Sequence, residues 1–375
     1  MNDFTFYSPT KLMFGKDKEK QIGIEIANRG IKKVLLVHGK HSAIESGLID
    51  RVKECLDYNC IKFFTLGGIE SNPGLLQVKK GIDIVKENYL EAVLAVGGGS
   101  VIDVAKAIAA GYYMKNVWDV FTGNTITSAL PIFTIPTLAG SGSEMNSGMV
   151  ITNEETRQKF IAAAPCLYPV ASIVNPALTM TAPPFVTYCG IVDAFSHAVE
   201  PYLTAVQGNQ LIAEMIEVLA RTLIRATGHI PPLCIDDYDL RAELSWATIL
   251  AGSGMPVRGW SGYSFPFHII AHSLSALRNT PHGAALSIII PAWIRWAKVE
   301  KHARINRFSE KVIKIPEELE KWFIDMKLPT RLRDIRLTIE DIPEIAENAF
   351  EGAKQMKVDQ VYTKDAISHI LGLAL

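Results

Sequence analysis

Short apolar runs and amphipathic stretches alternate through the first half of the chain. Residues 33–37, 63–66 and 92–96 are almost continuously apolar, the pattern of strands buried on both faces of a parallel sheet. Ser42-Ala-Ile-Glu45 has capping-box spacing and predicts a helix from there to about residue 58. A second helix ends near Asn88, and a third runs from Val101 to about Met114. Residues 132–135, 149–152 and 171–174 read as further strands. Such alternation with short loops predicts a doubly wound α/β sheet.

The texture changes at Asn175-Pro-Ala-Leu-Thr-Met-Thr-Ala-Pro-Pro184, a run of turn and helix-breaking residues. Beyond it the pattern is nearly all helical. Leu211, Ile212, Met215, Ile216, Leu219 and Leu223 trace one stripe of a long helix. Thr338 with Asp341, and Thr363 ahead of Asp365, mark helix starts. The expected organisation is an α/β domain over residues 1–182 and an all-α helical domain over residues 183–375.

Two loops add chemistry to the sheet. Val96-Gly97-Gly98-Gly99-Ser100-Val-Ile-Asp103-Val-Ala-Lys106 places glycines between a strand and a helix, where backbone approaches a pyrophosphate and free N–H groups face it. It is not the G-x-G-x-x-G fingerprint. Pro136-Thr137-Leu-Ala-Gly140-Ser141-Gly142-Ser143-Glu144 also follows a strand and is rich in small residues and hydroxyls. Two such loops at the strand ends of one sheet predict a dinucleotide site.

The helical half carries the histidines. Asp193 and His197 are four apart, as are His268 and His272, so each pair shares a helix face; His282 follows a Thr-Pro turn. A single histidine on an apolar face is ordinarily a hydrogen-bonded core residue, but two such pairs and a third histidine make a metal site the better reading. Carboxylate and imidazole without thiolate suit zinc or ferrous iron. Spacing leaves open whether His272 or His282 completes the set.

Composition narrows the class. Thirty-eight basic against 39 acidic residues give a formal charge of −1, with no surplus for nucleic acid or an anionic membrane. The 48% hydrophobic content is that of a folded globular chain. The five cysteines, Cys55, Cys60, Cys166, Cys189 and Cys234, have no C-x-x-C spacing and read as thiols in a reducing compartment. The acidic start and the lack of a run near the ~18 apolar residues of a membrane span predict a cytoplasmic protein.

With both loops and both pairs in place, the chain resembles the iron-containing (group III, metal-dependent) alcohol dehydrogenases, nearly end to end. The motifs are Gly97-Gly-Gly-Ser-Val-Ile-Asp-Val-Ala-Lys106, the Pro136–Glu144 loop, Asp193-x-x-x-His197, and His268-x-x-x-His272 with Pro281-His282-Gly283. The resemblance implies the dehydroquinate synthase-like fold, with a metal, Fe2+ or Zn2+, between a nucleotide domain and a helical domain. It implies that Asp193, His197, His268 and His282 hold the metal and that His272 relays a proton beside nicotinamide and substrate. Cofactor contacts carry over to Asn72, Gly98, Gly99, Ser100, Asp103, Thr137, Ser141 and Lys159. Leu138 and Asn175 depart from the family's usual threonine and aspartate, and Leu286 from its frequent asparagine. Gly283-Ala-Ala-Leu and Pro291-Ala-Trp look most like the butanol dehydrogenase branch, and the family suggests a homodimer.

Charge points to the cofactor. Val37-His38-Gly39-Lys40-His41-Ser42 has no acid to bond a ribose 2′-hydroxyl and repel a 2′-phosphate. Gly39 leaves room, and Lys40, His41 and Ser42 are available to a phosphate, so NADP(H) is expected, with NAD the alternative. The expected reaction is hydride transfer between NADP(H) and a primary aliphatic alcohol/aldehyde pair such as butanol/butanal. Trp260, Tyr263, Phe265 and Phe267 are candidates to wall its pocket. The rivals are an NAD-dependent diol or polyol dehydrogenase, a dehydroquinate synthase-like lyase (which needs more Arg and Lys than Arg258 and Arg278 near the ligands), and a non-catalytic NADP-binding sensor.

Overall fold

The computed structural model describes residues 2–228, 237–299 and 304–375. The first half contains β1 (Lys11–Phe14), α1 (Ile22–Ala27), β2 (Lys33–Gly39), α2 (Ser42–Glu45), α3 (Leu48–Tyr58), β3 (Lys62–Ile69), α4 (Leu75–Asn88), β4 (Ala92–Gly97) and α5 (Gly99–Gly111). Strands β5 (Ile132–Pro136), β6 (Gly148–Asn153), β7 (Gln158–Ala163) and β8 (Ala171–Val174) follow. Six strands form one parallel sheet in the order β1-β8-β5-β4-β2-β3.

Both faces of that sheet are covered, which is why its strands read as continuous apolar runs. On β2, Val34 and Leu36 join the core beneath α1 and α3, while Leu35 and Val37 join the core beneath α4 and α5. From β2 the chain steps outward to β3, then returns to β4 on the other side. This reversal opens a crevice at the carboxyl ends of β2 and β4, where Gly39 and Gly97 stand.

Four local expectations are corrected. The helix expected from Ser42 to residue 58 breaks in two, because Gly47 adopts a left-handed φ of 68° and its N–H bonds Ile44 O. His41, not Ser42, caps α2, and no side-chain capping bond forms. Met149–Thr152 does not enter the sheet; β6 pairs with β7 as an antiparallel hairpin lying over α5, where Val150 N–H donates to Asp103. On α7 (Gln210–Gly228), Ile212, Ile216 and Leu223 are buried, but Leu211 is 64% exposed and Met215 38%, so the apolar band is wider than the packed face.

The second half is helical: α6 (Pro184–Thr204), α7, α8 (Tyr238–Gly252), α9 (Pro266–Arg278), α10 (His282–Val299), α11 (Arg304–Lys311), α12 (Glu317–Asp325), α13 (Ile342–Gln355) and α14 (Lys364–Gly372). Thr363 caps α14 by accepting from Ala366 N–H, and Thr338 N–H bonds Asp341 in the turn leading into α13, as their spacing predicts. Among the described residues, Cys55, Cys60, Cys166 and Cys189 are unpaired; Cys234 lies outside them. No described helix is long and apolar enough to cross a membrane.

Backbone contacts that only glycine permits seat the helices against the sheet. A Cβ on Gly190 of α6 would lie 2.2 Å from Ala139 O in the loop after β5. One on Gly283 of α10 would lie 2.2 Å from Cys189 O of α6. The two contacts bring Asp193, three residues on from Gly190, and His282, one before Gly283, to the same place.

Candidate active site

Helix α6 presents Asp193 and His197 on one face, α9 presents His268 and His272, and His282 opens α10. The short connection works because Asn279 ends α9 in the left-handed region and Pro281 directs the chain into α10. Asp193 Oδ1 lies 3.5 Å from His282 Nε2, 3.7 Å from His268 Nε2 and 3.6 Å from His197 Nδ1. Asp193, His268 and His282 offer ligand atoms that all lie within 4.8 Å of one another. His197 stands beside this trio, its ring stacked on His268 at 4.6 Å. The ring of His272 is 5.2 Å from that of His282, and His272 is not part of the trio.

The donor set fits a divalent cation. Asp193 Oδ1, His197 Nδ1, His268 Nε2 and His282 Nδ1 are buried without a hydrogen-bond partner among the described residues. Unsatisfied buried polar atoms are costly, and here one falls on each of the four residues. Burial pushes His197 down to about 4, and burial with Lys159 nearby holds His282 well below the usual imidazole range, so both offer neutral lone pairs. Burial opposes the charge on Asp193, but His197 and His268 outweigh it and keep the carboxyl below its ordinary range. Burial also opposes charge on His268, yet Glu200 and Asp193 lift it to about 9; the position favours added positive charge.

Glu200 is a functional residue that the sequence reading missed. It sits seven residues after Asp193 on α6, fully buried. Its Oε2 lies 2.5 Å from His268 Nδ1, and Oε1 accepts from the N–H groups of Phe267 and His268. Such a carboxylate fixes the ring so that the other nitrogen faces the ligand position. The available signal was the continued spacing of Asp193, His197 and Glu200 along one helical face.

A cavity of about 560 Å³ runs from these residues to the glycine loops, lined by Ser71, Gly99, Ser100, Asp103, Ser141, Lys159, Asp193, His268, His272 and His282 among others. Gly98 caps α5, and Gly99 has no room for a side chain, since a Cβ would lie 2.3 Å from Ser141 Oγ. The first N–H groups of α5 thus face the cavity with the dipole's positive end, as phosphate binding requires. Ser100 Oγ donates to Ser71 O.

Asp103 differs from a free cofactor contact. Its Oδ1 accepts from Ser143 Oγ and its Oδ2 from Val150 N–H, so it ties α5 to the loop and to the hairpin. The fully buried Lys106 does the same, donating to Ser143, Asn146 and Gly148. Lys159, pushed by burial down to about 8, donates to Asn72 Oδ1, and Asn72 Nδ2 donates to Asn279 Oδ1. That chain crosses from the β6–β7 hairpin, through the loop after β3, to the end of α9.

A second cavity, about 340 Å³, lies at the other end of the crevice. It is lined by Ser42, Ser46, Arg51, Thr137, Leu178 and Thr181 among others. Lys40 is absent from it and is paired instead with Glu70 at 2.6 Å. Arg51 and Lys20 are cations here that sequence reasoning missed, beside the acids Asp17 and Glu19; Arg51 lies nine positions beyond Ser42 on the next helix. Asn175 is structural: it accepts from Ala177 N–H and donates to Glu19. Of the four aromatic candidates only Phe265 lines the substrate cavity; Trp260 and Phe267 are core residues, and Tyr263 packs edge-on against Phe265.

A dinucleotide crevice facing an imidazole–carboxylate cluster defines a nicotinamide-dependent oxidoreductase. A family model for iron-containing alcohol dehydrogenases matches residues 9–176, and the model for that family's C-terminal region matches residues 187–375. The chain belongs to the iron-containing alcohol dehydrogenase family and is an NAD(P)-dependent alcohol dehydrogenase. It is 37% identical to NADH-dependent butanol dehydrogenase B of Clostridium acetobutylicum, over 93% of each chain. It is 30% identical to the NADPH-dependent aldehyde reductase of Escherichia coli, over 99% of each. The crystal structure of NADH-dependent butanol dehydrogenase A from Thermotoga maritima superposes with a TM-score of 0.96 at 35% identity, covering 100% of this chain and 99% of that one.

Proposed function

We propose that the protein transfers hydride reversibly between NADP(H) and a primary aliphatic alcohol/aldehyde pair such as butanol/butanal. Asp193, His197, His268 and His282 would hold one divalent ion, Fe2+ or Zn2+. The observation that carries this reading is the approach of His197 Nδ1, His268 Nε2 and His282 Nε2 to within 3.7 Å of the buried Asp193 Oδ1, at one end of a cavity whose other wall is the start of α5. When bound, such an ion supplies Lewis acidity toward a carbonyl or alcohol oxygen. The chain's own residues do the rest. The α5 N-terminus with Gly98, Gly99, Ser100 and Ser141 receives the pyrophosphate. Lys159 and Asn72 position the nicotinamide end, and His272, whose ring lines the cavity, carries the proton to or from the substrate oxygen.

NADP is favoured by Arg51 and Ser42, which line the second cavity, and by the lack of an acid directly after β2 at Gly39-Lys40-His41-Ser42. NAD is the second reading, supported by the NADH-dependent butanol dehydrogenases A and B of Clostridium acetobutylicum at 35% and 37% identity. A lyase acting on a polyanion is disfavoured, since among the described residues lining the substrate cavity only Lys159 and Arg258 are Lys or Arg. A domain boundary at residues 182 and 183 is supported by the start of α6 at Pro184. A cytoplasmic homodimer is the proposed working form, supported by the unpaired cysteines and the half-exposed Phe4, Phe6 and Tyr7.

The test is reconstitution of the metal-stripped protein with zinc, iron(II) or manganese, followed by butanal reduction with NADPH and NADH. Metal-dependent oxidation of NADPH is expected. Equal activity without metal, or none with any metal, would overturn the reading.

A further inference from the structure

Charge in the substrate cavity is matched at every fixed group but one. Asp193 sits among imidazoles, Asp103 accepts two hydrogen bonds, and Lys159 donates to Asn72. Arg258 lines the same cavity from the segment between α8 and α9, as do Gly254 and Phe265. Its side chain forms no ion pair and no hydrogen bond among the described residues, and its Nε is buried without a partner. An aromatic face and a glycine flank it: the Phe6 ring lies 5.8 Å from Cζ, and Gly254 abuts one terminal nitrogen.

A guanidinium partly removed from water, with a buried N–H left open, is unfavourable unless something pairs with it. Its planar fork matches a carboxylate, which accepts two parallel bonds. Since the described protein provides no acid for Arg258, the partner falls to whatever occupies the cavity. The nicotinamide end of the cofactor is neutral apart from its ring, and its phosphates lie at the α5 end. The remaining occupant is the substrate.

We propose that Arg258 binds a carboxylate at the far end of the substrate, so that the preferred aldehydes are ω-oxo carboxylates and the preferred alcohols ω-hydroxy carboxylates. The proposal rests on the hydride-transfer reading above and narrows its substrate class. In the reduction, hydride passes from NADPH to the carbonyl carbon and one proton to its oxygen. The products are NADP+ and the ω-hydroxy carboxylate, with the distal carboxylate unchanged.

The experiment compares kcat/KM for 4-oxobutanoate and 5-oxopentanoate with that for butanal and pentanal, using metal-reconstituted enzyme and NADPH. A charge-assisted pair predicts that the better oxo acid exceeds the alkanal of equal length by roughly 10- to 100-fold. The ratio should collapse toward one in Arg258→Gln and survive in part in Arg258→Lys. Reduction of alkanals with no preference for oxo acids, or a preference untouched in Arg258→Gln, would overturn the proposal and leave the hydride-transfer reading standing. Reduction of neither class would remove both. Should Arg258→Gln fail to fold, calorimetry on the cofactor-saturated, metal-free wild-type protein decides. There 4-hydroxybutanoate should bind at least about tenfold tighter than 1-butanol, and equal binding would overturn the proposal.

Discussion

His268 Nδ1 lies 2.5 Å from Oε2 of the fully buried Glu200, and that contact aims Nε2 at Asp193. The same carboxylate accepts from the Phe267 and His268 N–H groups, so it fixes both the ring and the start of α9. Glu200→Ala should weaken metal binding about 10- to 100-fold. Glu200→Gln, which keeps an acceptor for the backbone, should weaken it less. Chelator-competition titration of the stripped proteins reads both values.

His272 follows His268 by one helical turn but lies outside the set formed by Asp193, His268 and His282. Its proposed part is proton transfer, so His272→Ala should lower kcat by about 10²- to 10⁴-fold. Metal content, measured by elemental analysis, should remain that of the wild type. Loss of the ion in this variant would make His272 a ligand.

The layered architecture could be read from sequence because its signals are local. Val34 to Val37 and Ala92 to Val96 are apolar on both faces, and the glycines after β4 mark the turn into α5. What escaped depends on contacts distant in the chain. Strand β1 is four residues long and pairs only with β8, 160 positions later by register (Lys11 with Ala171). The β6–β7 hairpin has strand periodicity, but nothing in its own residues says that Asp103 holds it over α5 instead of in the sheet. At the site, the helical spacing displayed Asp193, His197, His268 and His272, whereas the choice between His272 and His282 rests on the Gly283–Cys189 contact. Glu200 looked like an ordinary helix acid, since its burial follows from the packing of α9 onto α6.

Arg51 lines the second cavity together with Lys20, Asp17 and Glu19, whereas Lys40 is held by Glu70; on the proposed NADP reading Arg51 meets the 2′-phosphate. Arg51→Ala should raise KM for NADPH by roughly tenfold or more while moving KM for NADH little. Steady-state kinetics with both cofactors checks this, and a parallel change in the two would show that Arg51 does not read the 2′-phosphate.

Glu144, buried in the loop after β5, is pushed up to about 7, chiefly by burial and against the pull of Lys106. A carboxyl with a raised folded pKa contributes most stability below its ordinary value of 4.5 and loses that contribution as pH rises to about 7. Glu144→Gln removes the titration. From pH 5 to pH 7.5 the variant should therefore gain stability relative to wild type, on the order of 1–3 kcal/mol, read as a rise in relative Tm. A pH-independent difference would contradict the assignment.

A single divalent ion held by Asp193, His197, His268 and His282 underlies the proposed chemistry. Anomalous diffraction at the zinc edge, from crystals of the zinc-reconstituted protein, tests it most directly. One strong peak per chain is expected, about 2.0–2.2 Å from an oxygen of Asp193 and from one nitrogen of each of the three histidines. A peak bound through His272 in place of His282, or no peak between α6 and α9, would contradict it.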